Sequence, residues 1–69
     1  MTSNSQERAW RINESLESIS TEETLKEEVI LKLMIKWNIA KRVAREYIDV
    51  LIAKGLVRGG KTLWRVEKN

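Results

Sequence analysis

Apolar residues recur at spacings of three and four along most of this chain, a pattern typical of helices with one buried side. It predicts a first helix over residues 5–18, a second over 20–36 and a third over 39–54. The second helix is predicted to begin at Ser20 because Ser20-Thr21-Glu22-Glu23 has the form of a capping box. The inner positions predicted for the first helix are Ala9, Ile12, Leu16 and Ile19, and those for the second are Leu25, Val29, Leu33 and Trp37.

The third helix has the clearest division between its two sides. Its apolar stripe is Ala44, Ile48, Leu51 and Gly55. Arg42, Arg45 and Asp49 fall on the opposite side at about 100° per residue. Gly55 ends the helix, because glycine adopts the left-handed conformation of a helix terminus without a steric penalty.

Two short apolar runs follow, separated by Gly59-Gly60, and they predict a β-hairpin. In the second run, either Leu63 and Arg65 or Trp64 and Val66 point inward. The charge of Arg65 favours the second pair.

The second helix is apolar nearly all round, because Leu31 and Ile35 lie outside its main stripe. Such a helix is either fully buried or has a second surface to cover. We expect a homodimer interface that involves Leu31 or Ile35, and Trp10 is either part of that interface or an aromatic residue in the core or at its rim. The alternative is that the first helix covers this side within one monomer.

The turn, the third helix and the glycine-containing hairpin resemble the second half of a small winged helix-turn-helix domain, as in archaeal transcription factors and archaeal plasmid or viral regulators. The matching residues are Ile39, Ala44, Tyr47, Ile48, Leu51, Gly55 and Leu56, followed by Gly59-Gly60. The family often has glycine where this chain has Asn38, and serine or threonine at Ala40 and Val43. The resemblance implies a mainly α fold of three helices and a small β-hairpin, here over residues 5–66. Residues 1–4 are expected to be disordered, and residues 67–69 to form a flexible tail.

Composition restricts the classes of function. The chain has no cysteine and no histidine, which removes the cysteine nucleophile, the usual general base and the commonest metal ligands. We therefore expect no enzyme activity, no metal, no cofactor and no small-molecule substrate. No apolar run is long enough to span a bilayer, and the polar start of the chain is no signal peptide, so a cytoplasmic protein is expected. The resemblance implies that it is nucleoid-associated.

Charge is unevenly distributed along the chain. Residues 1–35 carry four basic and seven acidic side chains, a net charge of −3, whereas residues 36–69 carry nine basic and three acidic ones, a net charge of +6. The basic half coincides with the third helix and the hairpin. This is the electrostatic pattern of a polyanion-binding surface, and we expect the partner to be double-stranded DNA.

In the expected complex the third helix enters the major groove, and the hairpin (residues 58–65) lies on the backbone or in the minor groove. Arg42 and Arg45 are the candidates for base contacts, because arginine can bind guanine through two hydrogen bonds. The remaining candidates for DNA contacts, mostly to phosphates, are Lys36, Asn38, Lys41, Arg58, Lys61, Thr62 and Arg65. The alternative is a protein–protein interaction module in a replication, transcription or chromosome-organising complex. It is favoured by the apolar surplus of the second helix and by the absence of hydroxyls at Ala40 and Val43.

Overall fold

The computed structural model describes residues 4–66, and of residues 4 and 5 only the backbone. The elements are α1 (Asn4–Glu17), β1 (Thr24–Leu25), α2 (Lys26–Trp37), α3 (Lys41–Ala53), β2 (Val57–Gly59) and β3 (Thr62–Arg65). Strand β3 is central and pairs antiparallel with both β1 and β2. The mainly α, three-helix winged helix-turn-helix arrangement is therefore confirmed. The predicted disorder at residues 1–3 and 67–69 lies outside the described residues, and Asn4 is the first residue of α1.

Helix α3 lies at the centre of the packing and contacts α1, α2 and β2. Its predicted inner positions Ala44, Ile48 and Leu51 are fully buried. Tyr47 of α3 is also buried. The other buried apolar side chains come from every remaining element except β1, and from the loop after α1: Ile12, Ile19, Val29, Ile30, Leu33, Val57 and Leu63. One shared core thus holds the three helices against the hairpin.

Two residues in the left-handed conformation end the second and third helices. Asn38 (φ 51°) ends α2, and Gly55 (φ 77°) follows α3. After α3, the Leu56 amide donates to the Leu51 carbonyl and the Gly55 amide donates to the Ile52 carbonyl, both at 3.0 Å. These two bonds define a Schellman motif, so the predicted helix end is confirmed. They also fix the direction in which the chain leaves α3 toward the hairpin.

The capping box predicted at Ser20 is wrong. Helix α2 begins at Lys26, and the Ser20 hydroxyl instead accepts a hydrogen bond from the Glu22 amide at 3.0 Å. Thr24–Leu25 forms a short strand that pairs with β3. Pairing with β3 gives these residues hydrogen-bond partners for backbone groups that would otherwise bond within a further helical turn. The structure therefore has a three-stranded sheet, where the sequence predicted only a two-stranded hairpin.

The predicted inward side of β3 is also wrong. Leu63 is fully buried, whereas Trp64 and Val66 are half-buried. Arg65 is two residues from Leu63 and so lies on the same side of the strand. Its guanidinium reaches the edge of the core and lies 3.7 Å from the Glu17 carboxylate. A long side chain can thus occupy an inward position at a strand end while its charge stays near solvent.

Four further positions differ from the predicted pattern. Ala9, Leu25 and Gly55, the last predicted in the buried stripe of α3, are exposed, and Ser15 of α1 is fully buried. The Ser15 hydroxyl donates to the Arg11 carbonyl at 2.7 Å, which satisfies it inside the core. The alternative in which α1 covers this side of α2 is wrong, because Leu31 and Ile35 remain 56% and 75% exposed.

The hairpin turn provides a stability test with a matched control. Gly59 has φ 139°, and a Cβ there would overlap the backbone of Thr62, whereas a Cβ at Gly60 would meet open space. We expect Gly59→Ala to lower the free energy of unfolding by about 1–3 kcal/mol, and Gly60→Ala to change it by less than about 0.5 kcal/mol. Urea denaturation followed by tryptophan fluorescence measures both. Equal effects of the two variants would contradict this account of the turn.

Candidate nucleic-acid interface

The outer side of α3 begins with a group of cations. Arg42 and Arg45 are exposed, and neither has an ion-pair partner within residues 4–66. They border a shallow depression of about 420 Å³ that is also lined by Lys41, Glu46 and Asp49. The buried stripe holds the opposite side of the helix in the core, so both guanidinium groups are presented to solvent by a rigid element. The predicted placement of the arginines on the outer side of α3 is thereby confirmed.

Lys41 and Lys61 lie at the same end of the domain, although they belong to α3 and the hairpin tip. The Lys41 ammonium lies 3.3 Å from the Glu27 carboxylate at the start of α2. Glu27 also lines a second depression, of about 360 Å³, with Leu25, Lys26, Gly60 and Lys61. The hairpin tip is held there by a hydrogen bond of 2.8 Å from the Lys26 amide to the Lys61 carbonyl. The start of α3 and the tip of the hairpin therefore border one acidic residue.

The outer side of the hairpin adds a cation and an aromatic ring. Arg58 is opposite Trp64 in the pairing of β2 with β3, so their side chains share one side of the sheet. Arg58 is exposed and has no ion-pair partner in the described part of the chain, and Thr62 on the same side is half-buried. Trp64 also lies on this side. Because Trp64 was predicted to point inward, it was not among the candidate DNA contacts.

The remaining residues predicted to contact DNA either lie away from this surface or already contact another side chain. Arg65 is beside Glu17 of α1, on the inward side of the sheet. The Lys36 ammonium lies 5.1 Å from the centre of the Trp37 ring, a cation–π distance. Asn38 is exposed in the left-handed turn that joins α2 to α3. The structure thus groups Lys41, Arg42 and Arg45 around one depression. It places Lys61 beside the Glu27 that pairs with Lys41, whereas Arg65 lies apart beside Glu17.

Acidic side chains limit the positive surface toward the end of α3. Glu46 lies 3.9 Å from Arg8 of α1, and Asp49 follows one turn after Arg45. Exposed pairs such as Arg8–Glu46 and Lys41–Glu27 contribute little to stability, and a polyanion can displace them. The positive charge of the helix is therefore concentrated in its first turn and a half.

An aromatic group fixes α1 against the other two helices. Trp37 lies 6.3 Å from Trp10 and 6.0 Å from Tyr47, measured between ring centres. The Arg11 guanidinium lies 6.0 Å from the centre of the Trp37 ring. A hydrogen bond with Tyr47 raises the pKa of Arg11 above its ordinary value, and the nearby Glu7 carboxylate adds to this. Trp10 is 55% exposed and forms the rim of this group.

Comparisons with protein-family models, with curated proteins and with solved structures found no match to this chain. Within residues 4–66, no group of acidic residues is arranged to hold a metal ion. None of the helices described is both long and apolar enough to cross a bilayer.

Proposed function

We propose that this domain binds double-stranded DNA in a sequence-specific manner and acts as a transcriptional regulator, like the archaeal winged helix-turn-helix proteins that its sequence resembles. The observation that carries the proposal is the pair Arg42 and Arg45, which are exposed on the outer side of a helix that the core holds rigidly and which have no acidic partner among residues 4–66. A protein with this role is associated with the nucleoid.

In the proposed complex, α3 enters the major groove with its first two turns leading. Arg42 and Arg45 lie three residues apart, so both can reach base edges from the same side of the helix. A bidentate arginine–guanine contact discriminates against the wrong base by about 1–3 kcal/mol. Asp49, one turn later, carries a carboxylate that can accept a hydrogen bond from cytosine but repels phosphate. Base recognition is therefore assigned to the first half of α3.

Phosphate contacts are assigned to the cations around that half. Lys41 would exchange the Glu27 carboxylate for a phosphate, and Lys61 and Arg58 would hold the backbone on which the hairpin lies. Thr62 adds a hydroxyl donor, and Asn38 and Lys36 flank the turn before α3. Arg65 would first have to leave Glu17. These contacts orient the domain on the duplex and carry no sequence information.

The test is a titration of labelled random-sequence duplex DNA at several salt concentrations, followed by selection of the bound sequences. With about five phosphate contacts per monomer, the slope of log affinity against log salt should be roughly −4 to −5. The selected sequences should share one motif that contains guanine. A slope near zero, or selected sequences without a common motif, would contradict sequence-specific binding.

A second candidate function is a protein–protein interaction module in a replication, transcription or chromosome-organising complex. The exposure of Leu31 and Ile35 favours it, as does the start of α3, where Ala40 makes no side-chain capping bond and supplies no hydroxyl to a phosphate. Capture of one partner protein, with no DNA binding at low salt, would select this function over the first.

A further inference from the structure

Lysines from three parts of the fold surround one carboxylate at the end of the domain that carries the hairpin tip. The carboxylate belongs to Glu27 in the first turn of α2, and the Lys41 ammonium of α3 lies 3.3 Å from it. Lys26 and Lys61 line the depression of about 360 Å³ that Glu27 also borders. The start of α3, the start of α2 and the hairpin tip therefore each place one lysine beside Glu27.

The backbone fixes the positions from which these lysines extend. The Lys26 amide donates a hydrogen bond of 2.8 Å to the Lys61 carbonyl, which holds the hairpin tip against the start of α2. Lys41 is the first residue of α3, a helix whose other side lies in the core. Apart from the pair of Lys41 with Glu27, none of the three lysines has an ion-pair partner within residues 4–66. One carboxylate thus faces three cations, and the group as a whole remains positive.

A phosphate of a nucleic-acid backbone resembles the group that these lysines already surround. A phosphodiester, like a carboxylate, carries one negative charge shared by two oxygens, and lysine binds such a group as a point charge. The Glu27 side chain is 74% exposed, so a phosphate can approach the lysines from solvent. Exposed ion pairs contribute little to stability, so exchanging the carboxylate for a phosphate costs little free energy.

We infer that Lys26, Lys41 and Lys61 form one phosphate site and that Glu27 occupies it in the free protein. The site deepens the proposed function and rests on it, because the phosphate is that of the bound duplex. Glu27 is then an internal competitor, since every duplex must displace it and its charge stays next to the bound phosphate. It weakens binding to all sequences alike, because a phosphate contact carries no sequence information.

Glu28 provides a matched control for Glu27. Both carboxylates lie in the first turn of α2, where each interacts favourably with the helix dipole. Glu28 is exposed, does not border the depression and has no ion-pair partner within residues 4–66. Glutamine at either position removes the same charge and keeps the size of the side chain. E27Q and E28Q therefore differ in what the lost carboxylate faced.

The first experiment compares these variants of the full chain in fluorescence-anisotropy titrations of random-sequence duplex DNA, at about 50–200 mM salt. We expect E27Q to bind about 3–10-fold more tightly than wild type, with a slope of log affinity against log salt that is steeper by about one. E28Q should bind less than about twofold more tightly, because its charge is outside the site and screened by salt. Circular dichroism should show the same fold for both.

Lys41→Gln separates competition for the site from simple repulsion of DNA by Glu27. In the K41Q background the ammonium group nearest to the carboxylate is gone, so the gain from E27Q should fall to less than about half of its value with Lys41 present. Repulsion alone does not depend on Lys41. A gain of the same size in both backgrounds would therefore overturn the competition.

Lys26→Gln tests the lysine that had not been assigned to the DNA surface. K26Q should weaken duplex binding about 3–10-fold and make the salt slope shallower by about one. The control is K32Q, which removes an exposed lysine from the second half of α2 and should change binding by less than about twofold. Equal effects of K26Q and K32Q would remove Lys26 from the site.

Retention on heparin separates this site from the proposed function, because heparin is a polyanion without the grooves of a duplex. If wild type binds heparin but no duplex DNA, the proposed function fails, and later elution of E27Q than of E28Q still supports an anion site held by Glu27. If duplex DNA is bound and E27Q behaves like E28Q, DNA binding stands and the role of Glu27 is disproved. If wild type binds neither polyanion, both are disproved.

Discussion

Replacing Arg42 and Arg45 together by alanine should abolish sequence-specific DNA binding and leave the fold intact. Both side chains are exposed on α3, and neither has an ion-pair partner in the described part of the chain, so their removal creates no cavity and no unpaired buried charge. At about 1–3 kcal/mol of discrimination for each bidentate base contact, the double variant should lose about 30-fold to 10⁴-fold in affinity for the selected site. An electrophoretic mobility-shift titration with that site measures the loss.

The matched control is Arg8→Ala with Lys54→Ala, which removes the same net charge from exposed positions. Arg8 belongs to α1, and Lys54 follows the last turn of α3, away from its cationic start. This control should weaken binding of specific and random DNA alike, by less than about tenfold. If the two double variants lose equal affinity, net charge rather than Arg42 and Arg45 determines binding, and base recognition must be assigned to other residues.

The sequence predicted α3 well because all the relevant information is local. Ala44, Ile48 and Leu51 fix the buried side through helical spacing alone, and the arginines then follow on the opposite side. The helix end at Gly55 was predictable for the same reason, since a positive φ is a property of one residue and its immediate neighbours. Each of these features is complete within a short stretch of chain.

Features that depend on distant residues were not predicted. Thr24 and Leu25 form a strand because β3, far along the chain, offers a free edge. Strand β3 is too short for its alternation to show which side is buried, and the neighbouring Glu17 that accommodates an inward Arg65 comes from α1. The local signal for the extra strand was Thr24, a β-branched residue next to the acidic segment before α2.

The same distinction applies to the candidate site. The cations Lys41, Arg42 and Arg45 were identifiable from their spacing, but their electrostatic neighbours were not. Glu27 reaches Lys41 from another helix, and Arg8 reaches Glu46 from a third. These contacts leave Arg42 and Arg45 as the unpaired cations at the start of α3 among the described residues, which supports the proposal that these two side chains contact bases.

Leu51→Ala should remove a large fraction of the stability of this domain. Leu51 is fully buried on α3, the helix that contacts α1, α2 and β2. Truncating a buried leucine to alanine costs about 2–5 kcal/mol, because apolar contacts are lost and the cavity is only partly filled by relaxation. A domain of 69 residues has a free energy of unfolding of roughly 3–10 kcal/mol. We therefore expect the variant to be partly or wholly unfolded at 37 °C, as measured by urea and thermal denaturation.

Leu31→Ala is the matched control, since it makes the same chemical change on α2 at a side chain that is 56% exposed. Alanine is also the best helix former, so the free energy of unfolding should change by less than about 0.5 kcal/mol. Both variants should be measured at the same low protein concentration and in the same buffer, so that only folding is compared. Equal losses for Leu51→Ala and Leu31→Ala would mean that α3 is not the centre of the core, and Arg42 and Arg45 would then lack the rigid support that the proposed base contacts require.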